Sequence, residues 1–173
     1  HVVTRRQRQM CIRDRYDGLS IFLEKYISKV AEKNRKAVTK YAYAHLYFAK
    51  KEYKKAIETL LEDNDDKTAR MPNHFFKTDS YRLLIKSMFE IGVEEELEKY
   101  IARFRTYLTN NETKENKALF ERHKRFLVYI KELLDASKRN DKMAFVELKA
   151  KIERRKDTVN SEWLIENIEM YLK

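Results

Sequence analysis

Residues 37–63, AVTKYAYAHLYFAKKEYKKAIETLLED, decide the fold that we predict for this chain. Apolar and aromatic residues recur there at intervals of three and four, which is the pattern of amphipathic helices. A polar turn around Lys51 divides the stretch into two helices. Ala44 and Ala56 place small side chains where two antiparallel helices would touch. The stretch therefore predicts a closely packed helical hairpin.

This hairpin resembles a tetratricopeptide repeat. In that motif a small residue in the first helix corresponds to Ala44, and an aromatic residue three positions later corresponds to Tyr47. The small residue of the second helix corresponds to Ala56, and a large apolar residue four positions on corresponds to Leu60. Where the motif often has Trp, Gly, Ala and Pro, this chain has Lys40, Lys51, Asp63 and Thr68. The resemblance implies hairpins that stack into a solenoid and bind another protein.

The same helical spacing continues along the chain. We predict helices over 19–30, 33–50, 52–61, 75–92, 94–108, 114–139, 142–155 and from residue 161 towards the end. Gly92 is placed to end one of them in a left-handed cap, and the segment 63–72 reads as a loop. The predicted fold is all-α, with antiparallel helical hairpins stacked as a TPR-like α-solenoid of about seven or eight helices.

Over residues 33–173 the chain also resembles the C-terminal part of uncharacterised helical-repeat proteins common in Bacteroidota. The runs that carry this resemblance are 44–48, 104–108 and 162–164. It implies a single helical-repeat domain over residues 16–173, at the end of a longer protein. We therefore expect this chain to be a fragment.

Residues 1–15, HVVTRRQRQMCIRDR, lack an apolar period and the apolar core of a signal peptide. The run from Met10 to Arg15 resembles one reading frame of the transposase end sequence used to prepare sequencing libraries. We expect residues 1–15 to be non-native, adapter-derived sequence. The alternative is a disordered basic arm that binds nucleic acid or an acidic surface. Cys11 is accordingly left out of any functional interpretation.

The composition favours a helical protein with a charged surface. The 173 residues include 2 Gly and 1 Pro, which are few for a sheet protein with many hairpins. Charged residues make up 38% and hydrophobic residues 43%, and the net charge is +10. No apolar run is long enough to span a membrane. We expect a cytoplasmic protein without a membrane segment.

The chain lacks the motifs that most catalytic and cofactor sites require. Gly18 and Gly92 stand alone, so no glycine-rich loop can approach a phosphate. The four histidines have no metal-ligand spacing, and no HExxH or CxxC pair occurs. His45 could transfer a proton, although such a histidine more often packs or points to water. We expect no enzymatic activity, no cofactor, no metal and no small-molecule substrate.

The first helix of each predicted hairpin would line a concave face that binds an extended, acidic peptide or a helix of another protein. We predict that this candidate peptide-binding face contains Lys40, Tyr43, Tyr47, Lys51, Lys77, Arg82 and Lys86. Tyr43 and Tyr47 could instead be packing residues. The predicted function is a protein–protein interaction scaffold of the TPR type.

The alternative function is nucleic-acid binding through the basic segment 112–156, which holds 14 basic and 8 acidic residues. Binding to phosphates would weaken steeply with salt. The basic residues fall all round the predicted helices and alternate with glutamates such as Glu132 and Glu147. This distribution is typical of a solvated helical surface, so the sequence favours a protein partner over nucleic acid.

Overall fold

The computed structural model describes residues 18, 21, 23–61, 73–155 and 157–173. These residues contain no β-strand and form seven helices, preceded by a helical stretch over 23–27. The helices are α1 Glu32–Ala49, α2 Tyr53–Leu61, α3 His74–Ile91, α4 Glu94–Asn110, α5 Lys117–Arg139, α6 Lys142–Arg154 and α7 Ser161–Leu172. The all-α prediction is confirmed for this part of the chain. The predictions for residues 1–15 and for the loop 63–72 lie outside it.

The chain divides into two compact units, one up to Tyr100 and one from Ile101 onwards. In unit 1, α1 packs against α2, α2 packs against α3, and α1 also packs against α3. Ala44 and Ala56 are both fully buried, as expected of small side chains between closely packed helices. The core around them consists of Leu46, Leu60, Tyr81, Leu83, Leu84, Ile85 and Met88.

The helix ends of unit 1 follow ordinary capping chemistry. Asn73 precedes α3 and accepts a hydrogen bond from the Phe76 backbone N–H at 3.2 Å. Gly92 follows α3 with φ of 72°, which confirms the predicted left-handed cap. Before α1, the Arg35 guanidinium donates to the backbone carbonyls of Ser28 and Val30 at 3.2–3.3 Å. These contacts stabilise both ends of α3 and the segment before α1.

In unit 2, α5 packs against α6 and α7, and α6 packs against α7. Aromatic rings connect these helices: Phe126 lies 6.4 Å from Trp163, and Phe145 stacks on Tyr171 at 4.8 Å. The buried residues of α5 are Phe120, His123, Phe126, Leu127, Tyr129, Ile130, Leu133, Leu134 and Ala136. This wide buried face fits the packing of α5 against both α6 and α7. Among the described residues, no helix is long and apolar enough to cross a membrane.

Candidate functional site

Four polar side chains of unit 1 meet between α1 and α3, and we call them the Asp79 cluster: Tyr41, His45, Asp79 and Arg82. Tyr41 and His45 are four residues apart on α1, and Asp79 and Arg82 are three apart on α3. Residues at these spacings lie on the same side of a helix. Because α1 and α3 pack side by side, the two pairs face each other.

Asp79 is the acceptor at the centre of this cluster. Its Oδ2 accepts from the Tyr41 hydroxyl at 2.7 Å and lies 2.7 Å from His45 Nε2. Its Oδ1 accepts from the Arg82 guanidinium. An ionised carboxylate can only accept hydrogen bonds, so His45 Nε2 carries the hydrogen that it donates. The imidazole is thereby held with Nε2 towards α3.

The electrostatics fix the protonation of two members of the cluster. Burial by itself raises the pKa of the Asp79 carboxyl. The hydrogen bond from His45, the charge of Arg82 and the hydrogen bond from Tyr41 outweigh burial and hold that pKa well below its usual range. Burial and the adjacent Asp79 carboxylate raise the pKa of Tyr41 far above its usual value. Asp79 is therefore ionised and Tyr41 is a hydrogen-bond donor across the physiological pH range.

Two further polar contacts lie outside this cluster, one between α1 and α3 and one between α2 and α3. The Lys86 ammonium lies 4.5 Å from the centre of the Phe48 ring. Burial is the main reason that the pKa of Lys86 is lowered. Burial, together with the Glu90 carboxylate that accepts its hydrogen bond, raises the pKa of Tyr53 to about 12. Helices α1, α2 and α3 are thus joined by polar contacts as well as by the core.

The structure brings two of the seven predicted site residues to this cluster. Arg82 is a member of it, and Lys86 lies one turn further along α3. Tyr43 and Tyr47 form a separate pair with ring centres 6.3 Å apart. The ammonium of Lys55, from α2, lies 5.7 Å from the centre of the Tyr47 ring. This contact places Tyr47 towards α2, whereas the Asp79 cluster lies towards α3.

The other three predicted residues, Lys40, Lys51 and Lys77, take no part in the contacts described for the Asp79 cluster. Lys40 and Lys77 are half-buried on α1 and α3. Lys51 is exposed in the turn after α1, with φ of 61°. The structure contains no bound partner, so the candidate peptide-binding face as a whole remains a prediction.

Sequence reasoning did not include Tyr41, His45 or Asp79 in that face. From the sequence, Tyr41 was assigned no functional role, and His45 was considered either as a proton-transfer group or as a residue that packs or points to water. The spacing of these residues nevertheless indicated two polar pairs. Tyr41 and His45 share one face of α1, and Asp79 and Arg82 share one face of α3. The sequence could not show that these two faces meet, because Asp79 is 34 residues from His45.

Several basic side chains of segment 112–156 form ion pairs within unit 2. Lys124 pairs with Glu112 and Glu121, and Arg125 pairs with Asp157. Lys149 pairs with Glu169, and Lys151 pairs with Glu132. A hollow of about 350 Å³ on α6 is lined by Glu147, Ala150, Lys151, Arg154 and Arg155. Carboxylates are therefore mixed with the basic groups on this surface.

Within the described ranges, no group of three or more His, Cys, Asp or Glu side chains could hold a metal ion. The Asp79 cluster can accept and donate hydrogen bonds, and it includes an imidazole that is partly exposed. No protein-family model, curated protein or solved structure matches this chain. The function must accordingly be argued from the contacts of the chain itself.

Proposed function

We propose that this chain is a protein–protein interaction scaffold built from helical hairpins of the tetratricopeptide type. The observation that supports it best is the packing of unit 1. Helices α1 and α2 form a hairpin, and α3 packs against both of them. This is the arrangement expected when one hairpin is followed by the first helix of the next.

The side-by-side packing of α1 and α3 gives the proposed binding surface. In the proposed arrangement, each is the first helix of its hairpin, and such helices line the concave face of stacked repeats. The Asp79 cluster lies where the two helices meet. Within the cluster, the partly exposed His45 ring is a suitable recognition element, because its hydrogen bond to Asp79 orients it before a partner arrives.

The charge of this surface favours an acidic partner. Helix α1 contains four basic residues and one acidic residue, and α3 contains three basic residues and two acidic ones. Within α3, Asp79 is already paired with Arg82. An extended segment rich in Asp or Glu would match the net positive charge of the two helices. We therefore propose that the partner is an acidic peptide segment of another protein.

A direct binding measurement tests this proposal. The probe is a rhodamine-labelled peptide of alternating Asp and Ser, and the matched control peptide has Asn in place of each Asp. We expect fluorescence anisotropy to show saturable binding of the Asp peptide and none of the Asn peptide. Binding should survive physiological salt, because extended backbone and side-chain contacts would add to the charge attraction.

Paired charge reversals locate the surface. The double variant Lys40→Glu, Lys77→Glu alters α1 and α3, and we expect it to weaken binding of the Asp peptide by about tenfold. The control variant Lys114→Glu, Lys142→Glu changes two exposed lysines of unit 2 by the same total charge and should bind like the wild type. Equal weakening by both variants would indicate non-specific charge attraction and would count against the proposal.

Nucleic-acid binding through segment 112–156 remains the alternative. The excess of basic residues in that segment supports it, whereas the ion pairs of Lys124, Arg125, Lys149 and Lys151 reduce the charge available to phosphates. A labelled single-stranded RNA distinguishes the two functions. Tight RNA binding that falls steeply with salt, together with no binding of the Asp peptide, would replace the scaffold proposal.

A further inference from the structure

His45 is more accessible than the two charged side chains of the cluster, Asp79 and Arg82. Its side chain is 40% exposed, compared with 15% for Asp79 and 14% for Arg82. Its Nε2 is engaged with Asp79, so a partner would meet the ring through the other nitrogen, Nδ1. Asp79 and Arg82 are too enclosed to make more than marginal contact with a partner.

We infer that His45 Nδ1 contacts a carboxylate of the acidic partner, and that this contact strengthens when the imidazole is protonated. The inference rests on the proposed function and specifies how the partner is recognised. In the neutral ring, donation from Nε2 leaves Nδ1 as an acceptor, which cannot bond a carboxylate. In the protonated ring both nitrogens donate, so Nδ1 can donate to the partner while Nε2 keeps its bond to Asp79.

The groups around His45 determine how protonation changes the local charge. Tyr41 faces it from α1 and is a neutral phenol. Asp79 and Arg82 face it from α3 and compensate each other's charge. Lys86 is the next cation along α3. Protonation of His45 therefore adds one positive charge to a surface whose nearest ion pair is already balanced.

Asp79 acts as a positioning residue in this scheme. It accepts from His45 Nε2 and so holds the ring plane in one orientation, with Nδ1 on the side away from Asp79. Tyr41 and Arg82 hold the carboxylate in turn. A fixed ring loses less conformational freedom on binding than a mobile one, which favours a specific contact at this position.

A purely structural role for His45 would need only the hydrogen bond to Asp79. The substitution His45→Gln separates this role from recognition, because the Gln amide N–H₂ can donate to Asp79 but does not titrate. Circular dichroism and thermal unfolding would verify that the variant is folded. His74→Gln serves as the matched control, since His74 is an exposed histidine at the start of α3.

The experiment measures the affinity of the rhodamine-labelled Asp peptide between about pH 7.5 and about pH 5.5, where histidines titrate and Asp side chains stay ionised. We expect the wild type and His74→Gln to bind about tenfold more tightly at the lower pH. His45→Gln should bind with an affinity that changes little with pH. The Asn peptide should remain unbound throughout.

Three other results would contradict the inference about His45, and one of them would also contradict the scaffold proposal. An equal pH response in wild type and His45→Gln would place the titrating group elsewhere and overturn this inference, while leaving the scaffold proposal standing. Failure of the wild type to bind the Asp peptide at any pH would instead overturn the scaffold proposal and this inference with it. A binding response to pH that His74→Gln abolishes would also overturn the role of His45.

Nitrogen-15 NMR of the His45 ring gives a test that needs neither a variant nor a partner. Spectra of the wild-type protein at neutral pH report which ring nitrogen carries the proton. The hydrogen bond to Asp79 requires the Nε2–H form. Observation of the Nδ1–H form would overturn the inference, because Nδ1 would then donate without protonation of the ring.

Discussion

Three side chains donate to the Asp79 carboxylate at once: Tyr41, His45 and Arg82. We predict that Asp79→Asn lowers the free energy of unfolding by about 2 kcal/mol. The amide would remove the charge that pairs with Arg82 and would turn one acceptor into a donor facing other donors. Urea unfolding followed by circular dichroism measures the change.

The control for this substitution is Asp135→Asn, which alters an exposed carboxylate of α5. It should change the free energy of unfolding by less than about 0.5 kcal/mol. If Asp79→Asn were equally mild, the hydrogen bonds of the Asp79 cluster would contribute little to stability, and the orientation that we assign to His45 would lose its support.

Lys51 offers a second test at the scale of single residues, because its φ of 61° is in the left-handed region. That conformation strains a residue with a Cβ atom but not glycine. We predict that Lys51→Gly raises the free energy of unfolding by about 0.5–1 kcal/mol. The same substitution at Lys50, where φ is −77°, should destabilise the protein. Thermal unfolding of both variants would show whether each substitution stabilises or destabilises the protein.

Lys51 also connects the turn to the resemblance described above. The tetratricopeptide motif often has Gly at this position, and the left-handed backbone supplies a physical reason for that preference. Stabilisation by glycine would show that the turn has the backbone geometry for which the motif's glycine is suited. Destabilisation would show that the turn adopts a different geometry.

At the scale of helices, the start of α3 depends on one side chain. Asn73 occupies the N-cap position and accepts a hydrogen bond from the Phe76 N–H. We predict that Asn73→Ala costs about 1 kcal/mol of stability, whereas Asn73→Asp, which keeps the acceptor, costs far less. Hydrogen exchange of the first backbone amides of α3 would locate the effect, and equal exchange in both variants would contradict it.

Much of this helix pattern could be predicted from the sequence. The apolar spacing placed the seven helices with ends within a few residues of those observed, and Gly92 marked the end of α3. Ala44 and Ala56 indicated the packing of α1 on α2, because small residues at facing positions permit close approach. These features are local, or depend on residues a dozen positions apart.

The site was harder to predict because it depends on how helices are rotated against each other. Tyr43 and Tyr47 looked suitable for a binding face, but the contact between Tyr47 and Lys55 directs that side of α1 towards α2. Tyr41 and His45 lie on the side that meets α3. A single sequence does not determine which side of α1 faces which neighbour, since several aromatic residues compete for each position.

At the scale of the whole molecule, the Asp79 cluster makes stability depend on pH in a definite direction. The pKa of Asp79 in the folded protein is lower than its value in the unfolded chain. Its contribution is therefore complete above the unfolded pKa of about 4 and is lost as the pH falls through the folded pKa. We predict that the stability difference between wild type and Asp79→Asn shrinks as the pH falls below about 4.

Urea unfolding at a series of pH values measures this difference. The Asn73→Ala variant is a useful comparison, because it removes a hydrogen bond between two groups that do not titrate. Its stability relative to wild type should not change in the acidic range. A difference between wild type and Asp79→Asn that vanished already near neutral pH would contradict the ionised state that we assign to Asp79.

The position of the single tryptophan has a practical consequence for all of these measurements. Trp163 lies in α7 against Phe126 of α5, within unit 2, and the chain has 1 Trp. Emission excited at wavelengths that only indole absorbs therefore reports on unit 2, whereas every substitution proposed above for the Asp79 cluster lies in unit 1. Unfolding followed by this emission can be compared with unfolding followed by far-ultraviolet circular dichroism. The comparison would show, without any added label, whether a substitution in unit 1 changes the unfolding of unit 2.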